Sequence, residues 1–206
     1  MVEEQLRRRG IRDERVLEAM SLVPRHEFVP AVLISDAYED NALPIGRGQT
    51  ISQPYMVAAM TEALELKGTE RILEVGTGSG YQAAVLARLA AHVYTMEREP
   101  ELFRLAQERL TRLGLANSIT LLFGDGSLGY PPEAPYDGII VAAAAPEVPA
   151  CYLEQLVEGG RLIIPVGSLE TQELRKIRKF RGKAHSQVLG YCRFVPLTGT
   201  QGWKPD

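Results

Sequence analysis

Short apolar runs alternate with longer mixed segments along the middle of the chain, from residue 71 to residue 167. Five of these runs are mostly apolar, which is typical of strands buried on both faces of a parallel sheet. The segments between them have helical spacing. The pattern predicts strands at 71–76, 92–97, 119–124, 136–144 and 160–167, and helices at 56–66, 81–89, 101–113 and 152–157.

The segments at either end of the chain have a different pattern. Residues 1–66 carry helix signals, among them Asp13 as an N-cap ahead of an apolar helix face, and residues 38–54 form a loop rich in turn residues. Residues 172–197 favour a β-hairpin or a late pair of strands around Gly182, although Leu174, Ile177 and Phe180 have the spacing of a helix. We therefore expect an α/β fold: a Rossmann-like, doubly wound, mostly parallel sheet with helices on both faces, a helical N-terminal extension and C-terminal strands.

Length and composition fit one compact domain. The 206 residues are 45% hydrophobic and 24% charged, which is ordinary for a globular protein. We expect a single domain 1–206 made of the extension (1–66), a sheet core (67–168) and C-terminal strands with a tail (169–206). The formal net charge of −3 creates no field that favours nucleic acid or an anionic membrane.

The expected location is the cytoplasm. Cys151 and Cys192 form no metal-ligand or disulfide pattern, and a reducing compartment suits them best. The first ten residues, MVEEQLRRRG, lack the apolar centre of a signal peptide. The longest apolar run, 139–145, is far too short to cross a bilayer.

The strongest chemical signal is a glycine run, LEVGTGSGY at 73–81, where the first core strand passes into a helix. Turns at this place bind ligands in doubly wound sheets. A dinucleotide site requires a third glycine or alanine where this chain has Tyr81. The E-x-G-x-G-x-G pattern is similar instead to the first motif of class I S-adenosylmethionine methyltransferases; a tight turn without ligand is the simpler alternative. The similarity marks these candidate cofactor contacts: Glu74, Gly76, Thr77, Gly78 and Ser79.

Two acidic positions at neighbouring strand ends support this ligand. Glu97 closes the second core strand, where a carboxylate can accept both hydroxyls of a ribose. Asp125 and Gly126 follow the third strand, where a side-chain acceptor beside a backbone donor could read an adenine ring. Each acid alone has a simpler explanation, a surface acid for Glu97 and a common Asp-Gly turn for Asp125. Suitable groups at three strand ends together favour the cofactor.

A second motif, PIGRGQTISQPYMVAAM at 44–60, is by its residues alone a constrained loop that leads into a helix. It resembles the signature of the protein-L-isoaspartate O-methyltransferase family, which makes 44–54 the expected substrate loop. The resemblance covers nearly the whole chain and continues in RGIRDERVLEAM, VPRHEFVPAV, LEVGTGSGYQAAVLA, GDG, APYDGIIV, AAPEVP, GGRLIIPVG and FVPLTG. One position departs from it, because Ala142 stands where the family often has Thr.

The resemblance implies an enzyme that transfers a methyl group from S-adenosyl-L-methionine to the free α-carboxyl of L-isoaspartyl residues. D-aspartyl residues are slower acceptors. The methyl ester then collapses to a succinimide, which partly reopens as normal aspartate. The implied partners are damaged proteins and peptides. Nucleic acid, membrane and metal are not implied, and we expect a monomer.

The reaction needs alignment rather than a base, because a carboxyl group with a pKa of about 4 is already ionised at neutral pH. His26, His92 and His185 are therefore expected to be non-catalytic. The motif match assigns to Ser52 a hydrogen bond that orients the acceptor carboxylate. From the residues alone, Ser52 is equally an N-cap candidate near Pro54.

The same match assigns roles to neighbouring positions. Main-chain groups around Ile51 and Gln53 would hold the peptide, and Thr50 and Ile51 would touch the cofactor. Leu197 and Thr198, in the C-terminal motif, would border the substrate and close over the cofactor.

Other functions remain open. A methyltransferase of this fold that acts on RNA or a small molecule gains support from six basic residues within 175–183, although a solvated hairpin explains them too. A non-catalytic module would bind the cofactor or damaged protein without transfer. A dehydrogenase is disfavoured by Tyr81.

Overall fold

The N-terminal part of the chain consists of short helices and one small hairpin. In the computed structural model, which describes residues 1–204, short π- and 3-10-helical turns precede and follow the first α-helix. The regular elements of this part are α1 (Glu14–Leu22), β1 (Leu43–Gly46), β2 (Gln49–Ile51) and α2 (Pro54–Ala63). β1 and β2 pair antiparallel and form a sheet of their own.

The remainder alternates strands and helices around one seven-stranded sheet. Its strands are β3 (Arg71–Val75), β4 (His92–Glu97), β5 (Ile119–Phe123), β6 (Tyr136–Val141), β7 (Leu156–Gly167), β8 (Gln172–Phe180) and β9 (Lys183–Cys192). Its helices are α3 (Tyr81–Leu86), α4 (Pro100–Arg112) and α5 (Ala150–Glu154). The sheet order is β5-β4-β3-β6-β7-β8-β9. The five strands from β3 to β7 run parallel to one another. β8 is antiparallel to β7, and β9 is antiparallel to β8. The expected doubly wound, mostly parallel fold is confirmed.

Both faces of the central strands are buried, which explains their continuous apolar runs. Successive residues of a strand point to opposite faces. Ile72 and Ile140 therefore pack with the helices of the N-terminal part and α3, whereas Leu73 and Ile139 pack with Tyr152 of α5. The N-terminal extension thus belongs to the same core as the sheet.

Two local predictions outside the core are confirmed. The Asp13 carboxylate accepts a hydrogen bond of 2.9 Å from the Arg15 N–H and caps α1. Residues 172–197 contain the β8–β9 hairpin, whose turn holds Arg181 and Gly182 at φ of 52° and 69°.

The prediction that residues 38–54 form a loop rich in turn residues missed the β1–β2 hairpin in this segment. Its strands are only four and three residues long, and such short strands carry little local signal. The turn between them is tight, with Arg47 and Gly48 at φ of 54° and 69°. A hairpin holds the residues that follow it more rigidly than a loop would.

Several helix limits also differ from the prediction. α2 begins at Pro54 rather than at residue 56, because proline fits the first turn of a helix, where its missing N–H costs nothing. Gln53, not Ser52, precedes α2, and no side chain caps that helix. α3 ends at Leu86, before residue 89. α5 occupies 150–154 instead of 152–157, because Leu156 already pairs with Tyr136 in the sheet.

The loop before β3 is organised by one carboxylate. Glu70 is 7% exposed and accepts hydrogen bonds of 2.9 to 3.0 Å from the N–H groups of Lys67, Gly68 and Thr69. Its own carbonyl accepts the N–H groups of Ala91 and His92 at the start of β4. Burial alone would raise the pKa of Glu70, but the backbone donors outweigh it and hold the pKa below its ordinary value.

We predict that Glu70→Gln lowers the free energy of unfolding by about 1.5–3 kcal/mol, because hydrogen bonds to a charged group are lost. Urea unfolding at pH 7 measures this, with the exposed Glu108→Gln as a control that changes stability by less than about 0.5 kcal/mol. The deficit should shrink as the pH falls below about 4.5, since wild type then loses the same charge. An unchanged unfolding midpoint for Glu70→Gln would contradict this role.

Candidate active site

A cavity lies at the carboxyl ends of β3, β4 and β6, where ligands bind in open α/β sheets. The glycine turn after β3, the end of β4, the hairpin and the C-terminal segment all contribute to its wall. The structure brings together these predicted site residues around it: Thr50, Ile51, Ser52, Gly76, Thr77, Gly78, Ser79, Glu97, Gly126, Leu197 and Thr198.

The glycine turn is held open by main-chain bonds and by the hairpin. The N–H groups of Gly76 and Thr77 both donate to the Met96 carbonyl, at 3.0 and 3.1 Å. Gly76 and Gly78 have φ of 93° and 54°, a region that residues with a Cβ rarely adopt. A Cβ at Gly78 would lie 3.4 Å from the Ile45 side chain, so the hairpin packs directly against the turn.

Glu97 links the end of β4 to the glycine turn. One carboxylate oxygen accepts the Gly78 N–H at 2.8 Å, and the other accepts the N–H groups of Arg98 and Glu99 at 2.9 Å. The residue is 6% exposed and borders the cavity. Its carboxylate is therefore fixed at the position where a ribose was predicted, and ribose binding itself stays a prediction.

Glu74 was predicted to contact the cofactor, but its side chain lies behind the cavity wall. It is completely buried, and its carboxyl oxygen is 2.5 Å from the Thr95 hydroxyl, which is 2.7 Å from the Thr77 hydroxyl. Only Thr77 of these three borders the cavity. Burial raises the pKa of Glu74 to about 8, with a further rise from the Glu97 charge and an opposing effect of the Thr95 hydrogen bond.

The Asp125 carboxylate also points away from the cavity, although Gly124 and Gly126 on either side of it contribute to the wall. One oxygen accepts the Thr200 N–H and hydroxyl at 2.8 and 2.9 Å, and the other accepts the Ser127 N–H and hydroxyl. Burial alone would raise the pKa of Asp125, but these hydrogen bonds outweigh it and lower the pKa. Adenine recognition by Asp125 stays a prediction; the observed contacts hold the C-terminal segment in place.

That C-terminal segment places Leu197 and Thr198 over the cavity. The Leu197 N–H donates to the Ala144 carbonyl at 2.8 Å, and the indole of Trp203 donates to the same carbonyl at 3.0 Å. Leu197 is 4% exposed. Both residues border the cavity; their predicted contact with cofactor and substrate stays a prediction.

A second cavity, here called the outer groove, adjoins the first. It is lined by the segment around Asp40, the start of α2 and the chain after β9, and Gln53 borders it. Four residues border both cavities: Thr50, Ser52, Ala142 and Val195. Ser52 therefore stands where a ligand in the first cavity would meet a ligand in the outer groove.

Sequence reasoning did not assign Val195 or Ala142 to this junction. Val195 belongs to the FVPLTG motif, which could have marked it, whereas Ala142 was noted only as a departure from the family. Tyr81 was used to disfavour a dinucleotide site. Its ring is 1% exposed and packs 5.4 Å from the Phe28 ring and 4.9 Å below the Arg25 guanidinium.

The remaining candidate groups lie outside both cavities. His26, His92 and His185 border neither of them. Within residues 1–204, no group of three or more His, Cys, Asp or Glu side chains is arranged to hold a metal ion. Among the same residues, every helix is too short or too polar to span a membrane.

Comparison with known proteins agrees with this arrangement. The family model for protein-L-isoaspartate(D-aspartate) O-methyltransferase matches residues 1–202. The chain belongs to this family. A protein-L-isoaspartate O-methyltransferase of Methanoculleus marisnigri is 56% identical over all of this chain and 93% of its own length. One of Koribacter versatilis is 55% identical over all of this chain and 92% of its own length.

Solved structures of the isoaspartate methyltransferase family share the fold. One protein-L-isoaspartate O-methyltransferase superposes with a TM-score of 0.88 at 31% identity, covering 98% of this chain and 67% of that one. A Plasmodium falciparum protein described as such an enzyme, in complex with S-adenosyl-L-homocysteine, gives 0.82 at 29% identity over 96% of each chain. The expected family and enzyme class are confirmed, which disfavours the dehydrogenase and the non-catalytic module.

We predict that Glu74→Gln removes a pH dependence of stability. With the pKa of Glu74 near 8, the folded protein holds a proton that the unfolded chain releases above about pH 4.5. Wild type should therefore lose stability from about pH 4.5 to 8, by up to about 1.4 kcal/mol per pH unit. Urea unfolding from pH 5 to 9 should show that Glu74→Gln lacks this slope and Glu108→Gln keeps it. Parallel profiles for wild type and Glu74→Gln would mean that Glu74 is ionised in the fold.

Proposed function

We propose that the protein transfers a methyl group from S-adenosyl-L-methionine to the free α-carboxyl of L-isoaspartyl residues, and more slowly of D-aspartyl residues, in damaged proteins and peptides. A carboxylate oxygen forms a bond to the methyl carbon as the carbon–sulfur bond breaks, and S-adenosyl-L-homocysteine leaves without any proton transfer. The neighbouring main-chain nitrogen then attacks the ester carbonyl, its proton leaves with the methoxy group as methanol, and a succinimide remains. The observation that carries the proposal is the position of Ser52 at the junction of two cavities.

The first cavity has the groups that S-adenosyl-L-methionine requires. The Glu97 carboxylate at the end of β4 suits the ribose hydroxyls, and the turn from Gly76 to Ser79 exposes main chain to the ligand. Thr50 and Ile51 of β2 and Gly126 after β5 complete the wall. When bound, the cofactor supplies an electrophilic methyl group on a sulfonium ion.

Ser52 is the residue that we assign to the acceptor carboxylate. Its hydroxyl makes no hydrogen bond within residues 1–204 and does not cap α2, so it is free to donate to a ligand. A neutral donor orients the carboxylate without removing its charge, which the reaction needs for nucleophilic attack. Correct orientation of two bound reactants is worth about 10⁵–10⁸ M in effective concentration.

The reaction proposed at Ser52 needs no general base, because the acceptor carboxylate is already ionised at neutral pH. Both residues that join it at the junction opposite the hairpin, Ala142 and Val195, are apolar. They add no polar side chain to the meeting point, where opposite charges approach and are neutralised. Ala142 lacks the hydroxyl of the Thr that the family often has at this position, and the lack is compatible with this role.

The outer groove suits an extended peptide. Gln53 donates to the Asp40 carbonyl at 2.8 Å, which fixes one wall, and Ile51 and Gln53 flank Ser52 in sequence. Main-chain recognition of the peptide would fix the short carboxyl branch of an isoaspartyl residue with little regard for neighbouring side chains. Broad tolerance of flanking sequence follows.

RNA as the acceptor has less support. Two of the basic residues that suggested RNA are engaged within the protein: Lys176 pairs with Glu65, and Lys179 donates to the carbonyls of Leu153 and Leu156. The hydrogen bond from Lys176 lowers the pKa of Glu65. RNA binding with a steep dependence on salt would reopen that alternative.

We also propose that the enzyme is a monomer of the cytoplasm. One chain supplies every residue assigned to the two cavities, so a second copy is not needed to complete the site. Cys151 and Cys192 are both free thiols, and burial raises the pKa of Cys192 to about 11. Light scattering tests the monomeric state, and cell fractionation tests the cytoplasmic location.

The assay that tests the reaction uses methyl-labelled S-adenosyl-L-methionine and two peptides that differ only in an aspartyl or isoaspartyl linkage. We expect a base-labile labelled ester on the isoaspartyl peptide alone. Equal labelling of both peptides, or label on neither, would refute the proposed acceptor.

Ser52→Ala should lower kcat by about tenfold or more, because the acceptor carboxylate loses the donor that orients it. The affinity for S-adenosyl-L-homocysteine, measured by calorimetry, should stay within about twofold. Ser186→Ala, an exposed serine of β9, is the matched control and should leave both values unchanged. Full turnover by Ser52→Ala would remove Ser52 from the mechanism.

A further inference from the structure

The outer groove has three charged residues in its wall, Arg9, Asp40 and Arg193. Arg9 forms an ion pair with Asp40, and its guanidinium lies 3.7 Å from the centre of the Tyr55 ring. The charges of Arg9 and Asp40 therefore largely cancel. Any electrostatic preference of this groove depends on Arg193.

Arg193 is an exposed cation in the wall of the outer groove. In the part of the chain that the structure describes, no carboxylate lies within ion-pair distance of it. Cys192 and Phe194 on either side pack against the hydrophobic core. In an extended chain neighbouring side chains point to opposite sides, so the Arg193 side chain is directed away from the core.

The position of Arg193 along the groove matches the spacing of a bound peptide. Val195, two residues later, borders both cavities and lies at the junction with Ser52. Two residues of extended chain span about 6.6 Å. A peptide whose isoaspartyl carboxylate is held at Ser52 thus brings the side chain of a residue one or two positions away to Arg193.

We propose that Arg193 is a specificity-determining residue that favours isoaspartyl substrates with an acidic side chain one or two positions from the damaged residue. The inference rests on the function proposed above and names the class of substrate that this site prefers. The attraction is between exposed groups, so it discriminates only moderately, by about two- to fivefold for each substitution. Moderate discrimination is consistent with broad tolerance of sequence.

The test compares kcat/KM for isoaspartyl peptides of one length that carry Asp, Asn or Lys at each of the two positions on either side. Wild type should rank Asp above Asn above Lys at one or more of these positions. Arg193→Glu should invert that order, and Arg193→Gln should abolish it. Arg178→Glu changes an exposed arginine of β8 outside both cavities and should keep the wild-type order.

Salt gives an independent readout of the same interaction. For wild type, the ratio of kcat/KM between the Asp and Lys peptides should fall toward one in 0.5 M NaCl, because exposed charges are then screened over a few ångströms. An identical ranking of the peptides by wild type, Arg193→Gln and Arg193→Glu would overturn the inference and leave the proposed reaction intact. Failure of wild type to methylate any isoaspartyl peptide would instead refute the proposed function.

Discussion

The candidate site depends on how the β1–β2 hairpin is held against the carboxyl edge of the sheet. Ile45 of β1 packs on Gly78, and Arg47 in the hairpin turn forms an ion pair with Glu101 of α4. These contacts fix β2, and with it Ser52, beside the glycine turn. Without them the two cavities would not share a wall, since Ser52 has no capping bond of its own to hold it.

The N-terminal extension supplies the other half of this support. The buried Arg25 donates to the Ala37 carbonyl at 2.7 Å and to the Asn41 carbonyl at 3.4 Å, and Gln5 donates to the Tyr38 carbonyl at 2.9 Å. Burial lowers the pKa of Arg25, which shows the desolvation cost of placing a guanidinium there. The extension therefore acts as a structural support for the segment that leads into the hairpin.

The features that the sequence could predict are the ones with a local cause. Runs of apolar residues predict the strands between Arg71 and Gly167, and the spacing of the glycines predicts the glycine turn. The hairpin could not be recognised in this way, because Pro44 and the surrounding glycines resemble any surface loop until tertiary contacts pair them. The family resemblance singled out Ser52, but its place on the shared border of two cavities needed coordinates.

The roles of two predicted acids depend on distant partners and were not accessible from sequence. Asp125 and Thr200 are 75 positions apart, and only folding brings the C-terminal segment to that carboxylate. Glu74 is separated from the cavity by Thr95 and Thr77, a layer that the glycine motif does not encode. Asp125 thus holds the C-terminal segment in place and Glu74 lies behind the wall, whereas Glu97 borders the cavity itself.

We expect the methyl acceptor and the methyl donor to occupy separate cavities that meet at Ser52. A crystal structure of the protein with S-adenosyl-L-homocysteine and an isoaspartyl peptide tests this arrangement. It should show the nucleoside beside Glu97, the peptide in the outer groove, and the isoaspartyl carboxylate within hydrogen-bond distance of Ser52 Oγ. A carboxylate held elsewhere, or a peptide bound outside the outer groove, would contradict it.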